Sequence, residues 1–163
     1  MDVLAKSRPT FTMTLPSDRA LAFTREFDAP RQLVFEAWTR AEHVRRWYGC
    51  RASSMLSCEI DLRPGGGYRF VVLAPDGNEY PMSGVYHEIV APERLVYTER
   101  FNGDPASESV VTLTLTERGG RTILAVTAVY PTQASRDAML KLGVERGTTE
   151  TLERLAEHLE MLV

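Results

Sequence analysis

Residues 144–162 read VERGTTETLERLAEHLEML, and this stretch decides the fold of the chain. Its apolar and small side chains recur at steps of three and four, which is the spacing of one helical face. That face comprises Val144, Thr148, Thr151, Leu152, Leu155, Ala156, Leu159 and Leu162. A large apolar side chain contributes roughly 1.5–3 kcal/mol when it is buried, so such a helix needs a broad apolar surface to pack against. We expect most of the charged side chains of this stretch, Arg154 included, to face water.

The segment from Ser53 to Tyr130 is predicted to form the apolar sheet surface against which this helix packs. Apolar and polar residues alternate through it, and glycine-rich turns such as Asp76-Gly77-Asn78 separate the runs. Successive hairpins of this kind build an antiparallel sheet in chain order, here of about six strands. Ahead of it we expect a strand at Ala20–Phe27 and two short helices, the second of them begun by a capping box at Thr39-Arg40-Ala41-Glu42. After it we expect a short helix that Gly143 separates from the final one.

Composition and charge limit the class of protein. The chain has 163 residues, of which 44% are hydrophobic and 25% charged, and its net charge of -3 favours neither nucleic acid nor an anionic membrane as partner. We expect an N-terminal arm at residues 1–19, with a short strand at Phe11–Leu15, and one domain at residues 20–163. No signal peptide or membrane span is visible, which predicts a cytoplasmic protein with reduced cysteines and no membrane insertion. The sequence leaves open whether the chain forms a homodimer.

Several short motifs carry a family resemblance. They are REFDAP (25–30), VFEAWT (34–39), RW (46–47), DLRPGG (61–66), GVYHEI (84–89), PERLVYT (92–98) and LERL (152–155). In this order they resemble proteins related to the activator of the Hsp90 ATPase, within the START-like (SRPBCC, Bet v 1-like) superfamily. The resemblance implies an α+β helix-grip fold, in which a curved antiparallel sheet of about six to seven strands and a long C-terminal helix enclose a cavity. It implies a fold and a pocket, and no particular reaction.

The chain departs from the family pattern at two positions that bear on the cavity. It has Trp47-Tyr48-Gly49-Cys50 where many relatives have Trp-Trp-Gly-Pro, and Gly147-Thr148 where many carry an aromatic residue after the glycine. Both changes would alter the cavity wall, so the ligands of relatives are not transferred to this chain. Thr148 is expected to leave space between the last helix and the sheet.

The predicted ligand-binding residues are mostly aromatic. Besides Thr148 they are Trp47, Tyr68, Phe70, Met82, Tyr86, Tyr97 and Glu99. Any one of the apolar residues could simply be core, but aromatic walls with a few polar tips are typical of small-molecule sites. Glu99 is the inward-facing charge: a buried carboxyl has a raised pKa and could act as an acid or anchor a polar ligand group. The alternative for Glu99 is a structural ion pair at the strand end.

The histidines, Cys50 and the glycine-rich turn do not indicate a metal, catalytic or phosphate-binding site. His43, His87 and His158 are spread over three elements, so we expect no metal, and we expect no cofactor. Cys50 has no identifiable base, and Pro64-Gly65-Gly66-Gly67 leads into a strand, unlike a phosphate-binding loop.

Three hypotheses for function follow from the sequence. The first is a binding protein for a small apolar or aromatic molecule. The second is a co-factor of an Hsp90-type chaperone, or another protein-interaction role. The third is a cyclase- or hydrolase-type enzyme in which Glu99 or a tyrosine acts as general acid. No enzyme signature is present, which favours the first.

Overall fold

One antiparallel sheet of eight strands occupies the centre of the computed structural model, which describes residues 11–163. The strands are β1 (Phe11–Ser17), β2 (Ala20–Phe27), β3 (Ser54–Ile60), β4 (Gly67–Leu73), β5 (Glu79–Val90), β6 (Arg94–Phe101), β7 (Ser109–Arg118) and β8 (Arg121–Val129). Their order is β1-β2-β8-β7-β6-β5-β4-β3, so β3 to β8 follow one another across the sheet and the β1–β2 hairpin joins at β8. The predicted meander and helix-grip architecture are confirmed, with more strands than the six to seven expected.

Four α-helices interrupt or follow the strands. They are α1 (Arg31–Thr39), α2 (Ala41–Trp47), α3 (Gln133–Lys141) and α4 (Val144–Leu162). Gly143 lies between the last two with φ at +85°, in the left-handed region that ends one helix and turns the chain into the next. The predicted break at Gly143 is therefore confirmed. Among the helices of residues 11–163, none has the length and apolar composition needed to cross a membrane.

The core lies between the inner face of the sheet and helices α1, α2 and α4. Leu113 on β7 and Leu124 on β8 are fully buried there, as alternation along each strand requires. Val34 of α1 and Leu155 of α4 are also fully buried and belong to the same cluster. One continuous core therefore unites the meander with the C-terminal helix.

The fully buried side chains of helix α4 lie between Leu152 and Leu159, and half-buried Val144 in its first turn also packs against the core. Leu152, Leu155, His158 and Leu159 are buried, whereas every residue from 144 to 150 is half-buried or exposed. Leu162 is also largely exposed. The apolar stripe read from the sequence is thus longer than the face that the helix buries.

At the N-terminal side one local expectation is confirmed and one is wrong. The short strand expected at Phe11–Leu15 is present as β1, which pairs antiparallel with β2, so this part of the expected arm belongs to the sheet; residues 1–10 of the arm lie outside the described residues. The sequence Thr39-Arg40-Ala41-Glu42 matches a capping box for α2. Instead, Thr39 closes α1, where its hydroxyl donates to the Phe35 carbonyl at 2.7 Å, and Arg40 takes the N-cap position.

Candidate ligand cavity

A small cavity lies between helices α1 and α2 on one side and strands β4, β5 and β6 on the other. It is lined by Trp38, Val44, Trp47, Tyr48, Tyr68, Phe70, Tyr86, Tyr97 and Glu99. The space open to the centre of a water-sized sphere is about 40 Å³. A water molecule needs roughly 10–15 Å³ on this measure, so the cavity has room for about three waters or for a ligand group of a few heavy atoms.

Tyr68 is the aromatic residue around which the sheet side of the cavity is arranged. Its ring centroid lies 5.1 Å from that of Phe70, 5.6 Å from that of Tyr86 and 5.8 Å from that of Tyr97. The Tyr97 contact is edge-to-face, and the separations are those at which aromatic pairs attract each other. These rings form a continuous wall.

The position of Tyr68 depends on a glycine in the neighbouring strand. Gly84 on β5 is the direct partner of Tyr68, and a Cβ there would overlap the carbonyl oxygen of Thr98 and approach Cε1 of Tyr68 to 2.7 Å. With glycine in this position the Tyr68 ring lies against β5, and its hydroxyl donates to the Thr98 carbonyl at 2.9 Å. Gly84 therefore determines the position of the Tyr68 ring on the sheet side of the cavity.

The helix side of the cavity consists of both tryptophans of the chain and the tyrosine that follows α2. Trp38 and Trp47 lie with ring centroids 5.0 Å apart, and Tyr48 meets Phe70 edge-to-face at 5.0 Å. Trp47 donates its indole N–H to the Ala37 carbonyl at 2.9 Å. Trp38 forms a side-chain hydrogen bond with Tyr97. Because buried polar tips are paired in this way, the two walls are held against each other.

Glu99 is the only charged residue among those that line the cavity. Desolvation by burial raises the pKa of its carboxyl from 4.5 to about 7. No basic side chain or hydrogen-bond donor of residues 11–163 offsets that cost by lowering this pKa. The predicted alternative, a strand-end ion pair, is therefore wrong for Glu99. A carboxylate in an aromatic cavity is left without a counter-charge.

Four tyrosines respond to the charge on Glu99. Burial is the main cause of the raised pKa of Tyr48, Tyr68 and Tyr97, and the nearby Glu99 carboxylate raises each of them further. The pKa of Tyr130, the residue after β8, is raised to about 12 for the same two reasons. All four phenols are thus neutral hydrogen-bond donors at physiological pH.

The structure brings most of the predicted site residues together at this cavity. Trp47, Tyr68, Phe70, Tyr86, Tyr97 and Glu99 line it. Met82 does not, because it lies farther along β5, opposite Phe70 and Phe101, and is half-buried there. Thr148 does not line it either, although it is half-buried in α4. No residue of α4 lines this cavity, so the expected position between the sheet and the C-terminal helix, with space beside Thr148, is wrong for it.

Three lining residues were not predicted: Trp38, Val44 and Tyr48. Trp38 and Val44 carried a signal, since both lie on the apolar sides of their helices. The periodicity of apolar residues alone, however, does not distinguish the part of a helix face that lines a cavity from the part that packs in the core.

Two further contacts involve α4 and were also missed. His158 of α4 lies with Nε2 2.9 Å from Nδ1 of His43 in α2, although these residues are 115 positions apart. Arg154, expected to face water, donates to the backbone carbonyls of Arg46, Tyr48, Gly49 and Cys50. Over the described part of the chain, no group of three or more His, Cys, Asp or Glu side chains is placed to hold a metal ion.

The family follows from a comparison with known sequence profiles. The profile described as Activator of Hsp90 ATPase homolog 1-like protein matches residues 28–160 of this chain. The chain belongs to this family. The match spans α1 through nearly all of α4, so this member of the Activator of Hsp90 ATPase homolog 1-like family presents its cavity within the matched region.

Solved structures agree with the family assignment. A protein from Rhodobacter sphaeroides is 28% identical, with a TM-score of 0.86 over 93% of this chain and 99% of that one. A protein from Nitrosomonas europaea is also 28% identical, with a TM-score of 0.81 over 90% and 97% of the two chains. A Mycobacterium smegmatis protein shares the fold at 20% identity, with a TM-score of 0.83 over 92% and 96%. No curated protein matches this sequence. The family and its fold support a ligand-binding kind of domain.

Proposed function

We propose that this protein binds a small apolar or aromatic molecule in the cavity between helices α1 and α2 and strands β4 to β6. The observation that carries the proposal is an aromatic cavity with a single charged group, Glu99, among its lining residues. Small-molecule sites have this composition, with apolar and aromatic walls and a few polar groups that orient the ligand.

The size of the cavity limits what it can hold without rearrangement. Typical drug-sized ligands occupy pockets of about 300–1,000 Å³, and this cavity is far smaller. A ligand group of a few heavy atoms fits between the walls as they stand. A larger molecule requires side chains of the helix side, such as Tyr48, to move, because the sheet side is fixed by Tyr68 and its hydrogen bond to Thr98.

Each of the two other functional hypotheses from the sequence is supported by a single observation. Stimulation of a chaperone ATPase is supported by the name of the family alone. Acid catalysis rests on Glu99 alone, without a second catalytic group assigned beside it. Ligand binding accounts for the whole set of lining residues.

Intrinsic fluorescence offers a direct test, because both tryptophans of the chain line the cavity. A panel of small aromatic and apolar molecules should include members that change this fluorescence in a saturable way. Native mass spectrometry of protein purified from its source should show a retained mass that organic solvent removes.

A substitution that fills the cavity should abolish the saturable fluorescence change. Val44 is buried on the wall, so Val44→Phe occupies the space, whereas Val110→Phe places the same ring on the exposed face of β7 as the matched control. We expect binding to be lost in the first variant and kept in the second, with melting temperatures measured for both. If no panel member binds the wild type saturably, the proposal is wrong.

A further inference from the structure

The charge on the cavity wall narrows the chemistry of the ligand. Glu99 is the only charged lining residue, and no described donor or cation holds its carboxyl. A protein normally pairs a buried carboxylate or keeps it in water. Glu99 lines the cavity and is half-buried, so a ligand in the cavity can supply the missing donor.

The other walls favour a cation as that donor. The rings of Trp38, Trp47, Tyr48, Tyr68 and Tyr97 surround the same space and present aromatic surface to it. Aromatic faces attract cations through the ring quadrupole, and cages of such rings are the usual recognition site for alkylated ammonium groups.

We propose that the cavity recognises an organic ammonium group, which sits against the Glu99 carboxylate and the aromatic walls. This inference rests on the proposed function and deepens it by naming the chemical class of the ligand. The volume limits the buried head to a few heavy atoms, which suits a primary amine or a small alkylated amine. Any longer apolar part of the ligand extends toward the helix side.

Glu99 is partly desolvated before any ligand binds. The fold leaves it half-buried, and this desolvation is what raises its pKa to about 7. An ammonium ligand therefore loses its own hydration but meets a carboxylate that has already lost part of its water, which strengthens their attraction. Binding should lower the pKa of Glu99, since an adjacent positive charge favours the ionised carboxyl.

This coupling makes affinity depend on pH. The ammonium form must meet the carboxylate form, so affinity should rise as pH increases through about 7, where Glu99 ionises. The ionisable groups that respond to Glu99 from the surrounding elements are Tyr48, Tyr68, Tyr97 and Tyr130, all of which stay neutral in this range.

A matched pair of small probes tests the inference. Tert-butylammonium and tert-butanol have the same shape and differ in charge. Binding of each is measured by protein NMR chemical-shift changes at pH 8 and pH 5.5, with sodium chloride at equal ionic strength as the salt control. At pH 8 we expect the wild type to bind tert-butylammonium at least about tenfold more tightly than tert-butanol. That preference should fall by about tenfold or more at pH 5.5.

The variants assign the effect to the carboxylate. Glu99→Gln should bind the two probes within about twofold of each other, because it keeps the shape and removes the charge. Glu59→Gln removes the same charge from an exposed position on β3 and should keep the wild-type preference.

Each remaining outcome separates this inference from the proposed function. Equal affinity of the wild type for both probes, or tighter binding of tert-butanol, would overturn the ammonium inference and leave the binding cavity standing. If neither probe binds while an apolar panel member does, the ammonium inference alone fails. If nothing binds, both fail.

Discussion

At the residue scale, Glu99 is held in the folded state at a cost to stability. Its folded pKa of about 7 lies above the unfolded value near 4.5, so the folded protein favours the protonated acid. The associated stability is fully present below pH 4.5 and is lost as the pH rises through 7. At pH 8 the buried carboxylate opposes folding.

Replacing Glu99 by glutamine should therefore stabilise the protein at high pH. Two and a half pKa units set an upper bound on the order of 3 kcal/mol, and we expect Glu99→Gln to gain about 1–3 kcal/mol at pH 8 and little at pH 4.5. Urea unfolding at the two pH values measures this. Glu59→Gln, on the exposed face of β3, should stay within about 0.5 kcal/mol of the wild type. A Glu99→Gln variant that is less stable than the wild type at pH 8 would mean that the carboxyl has a partner in the folded state.

Strand parity explains why some of this site could be predicted from the sequence. Tyr97 and Glu99 lie two residues apart on β6, so period-2 alternation puts both on the inner face. Tyr48 is a different case, since it follows a short helix and its direction depends on how α2 docks on the sheet. No local pattern contains that docking angle, and a pairwise contact such as Tyr48 with Phe70 becomes visible only in the fold.

At the element scale, Arg154 joins α4 to the end of α2. Its guanidinium donates from Nη1 to the carbonyls of Gly49 at 2.9 Å and Cys50 at 3.1 Å, and from Nη2 to the carbonyl of Arg46 at 3.0 Å. The carbonyls at a helix C-terminus lack partners within the helix and attract positive charge. Arg154 supplies both the donors and the charge.

Lysine in place of Arg154 should lose most of this connection. Its single ammonium lacks the planar fork that reaches several carbonyls at once, so we expect Arg154→Lys to cost about 1–3 kcal/mol in the free energy of unfolding. Arg146→Lys makes the same exchange at an exposed position of α4 and serves as control. Equal stabilities of the two variants would show that the carbonyl contacts contribute nothing measurable.

The elements themselves were easier to predict than their ends and their docking. Gly143 could be identified because the apolar faces on its two sides do not share a helical stripe, and the φ of +85° agrees. The Thr39–Glu42 capping box failed because a threonine in the last turn of α1 can bond back to the Phe35 carbonyl equally well. The same four residues are compatible with a capping box that begins α2 and with a threonine that bonds back within α1, and tertiary packing decides which of the two forms.

At the scale of the whole molecule, the His43–His158 contact joins α2, which precedes the β3–β8 meander, to α4, which follows it. The pKa of His158 is lowered first by burial, then by His43 and by Arg46 of α2. Arg51, Arg154 and Glu157 line the same surface hollow as His158. With Nδ1 and Nε2 only 2.9 Å apart, one ring must accept the hydrogen bond, so both rings cannot be protonated without breaking it.

This contact should make overall stability fall in acid. A folded pKa below the unfolded value of about 6.5 contributes stability that is complete above pH 6.5 and is lost as the pH falls through the folded pKa. We expect His158→Gln to lose less stability than its parent between pH 7 and pH 5. Both proteins carry Glu99→Gln in this comparison, because Glu99 acts in the opposite direction. Met161→Gln, exposed on the same helix, is the non-titrating control. Identical losses for parent and His158→Gln would contradict the role of the pair.

Gly84 has a consequence for redesign of the cavity in this chain. Because no side chain fits between Thr98 and Tyr68 at this position, Gly84 does not accept a larger residue unless the strand or the Tyr68 ring shifts. Trp38, Val44 and Tyr48 reach the same space from the short segment 38–48, which lies apart from that contact. We expect the shape of the cavity to be re-engineered more readily on its helix side than at Gly84.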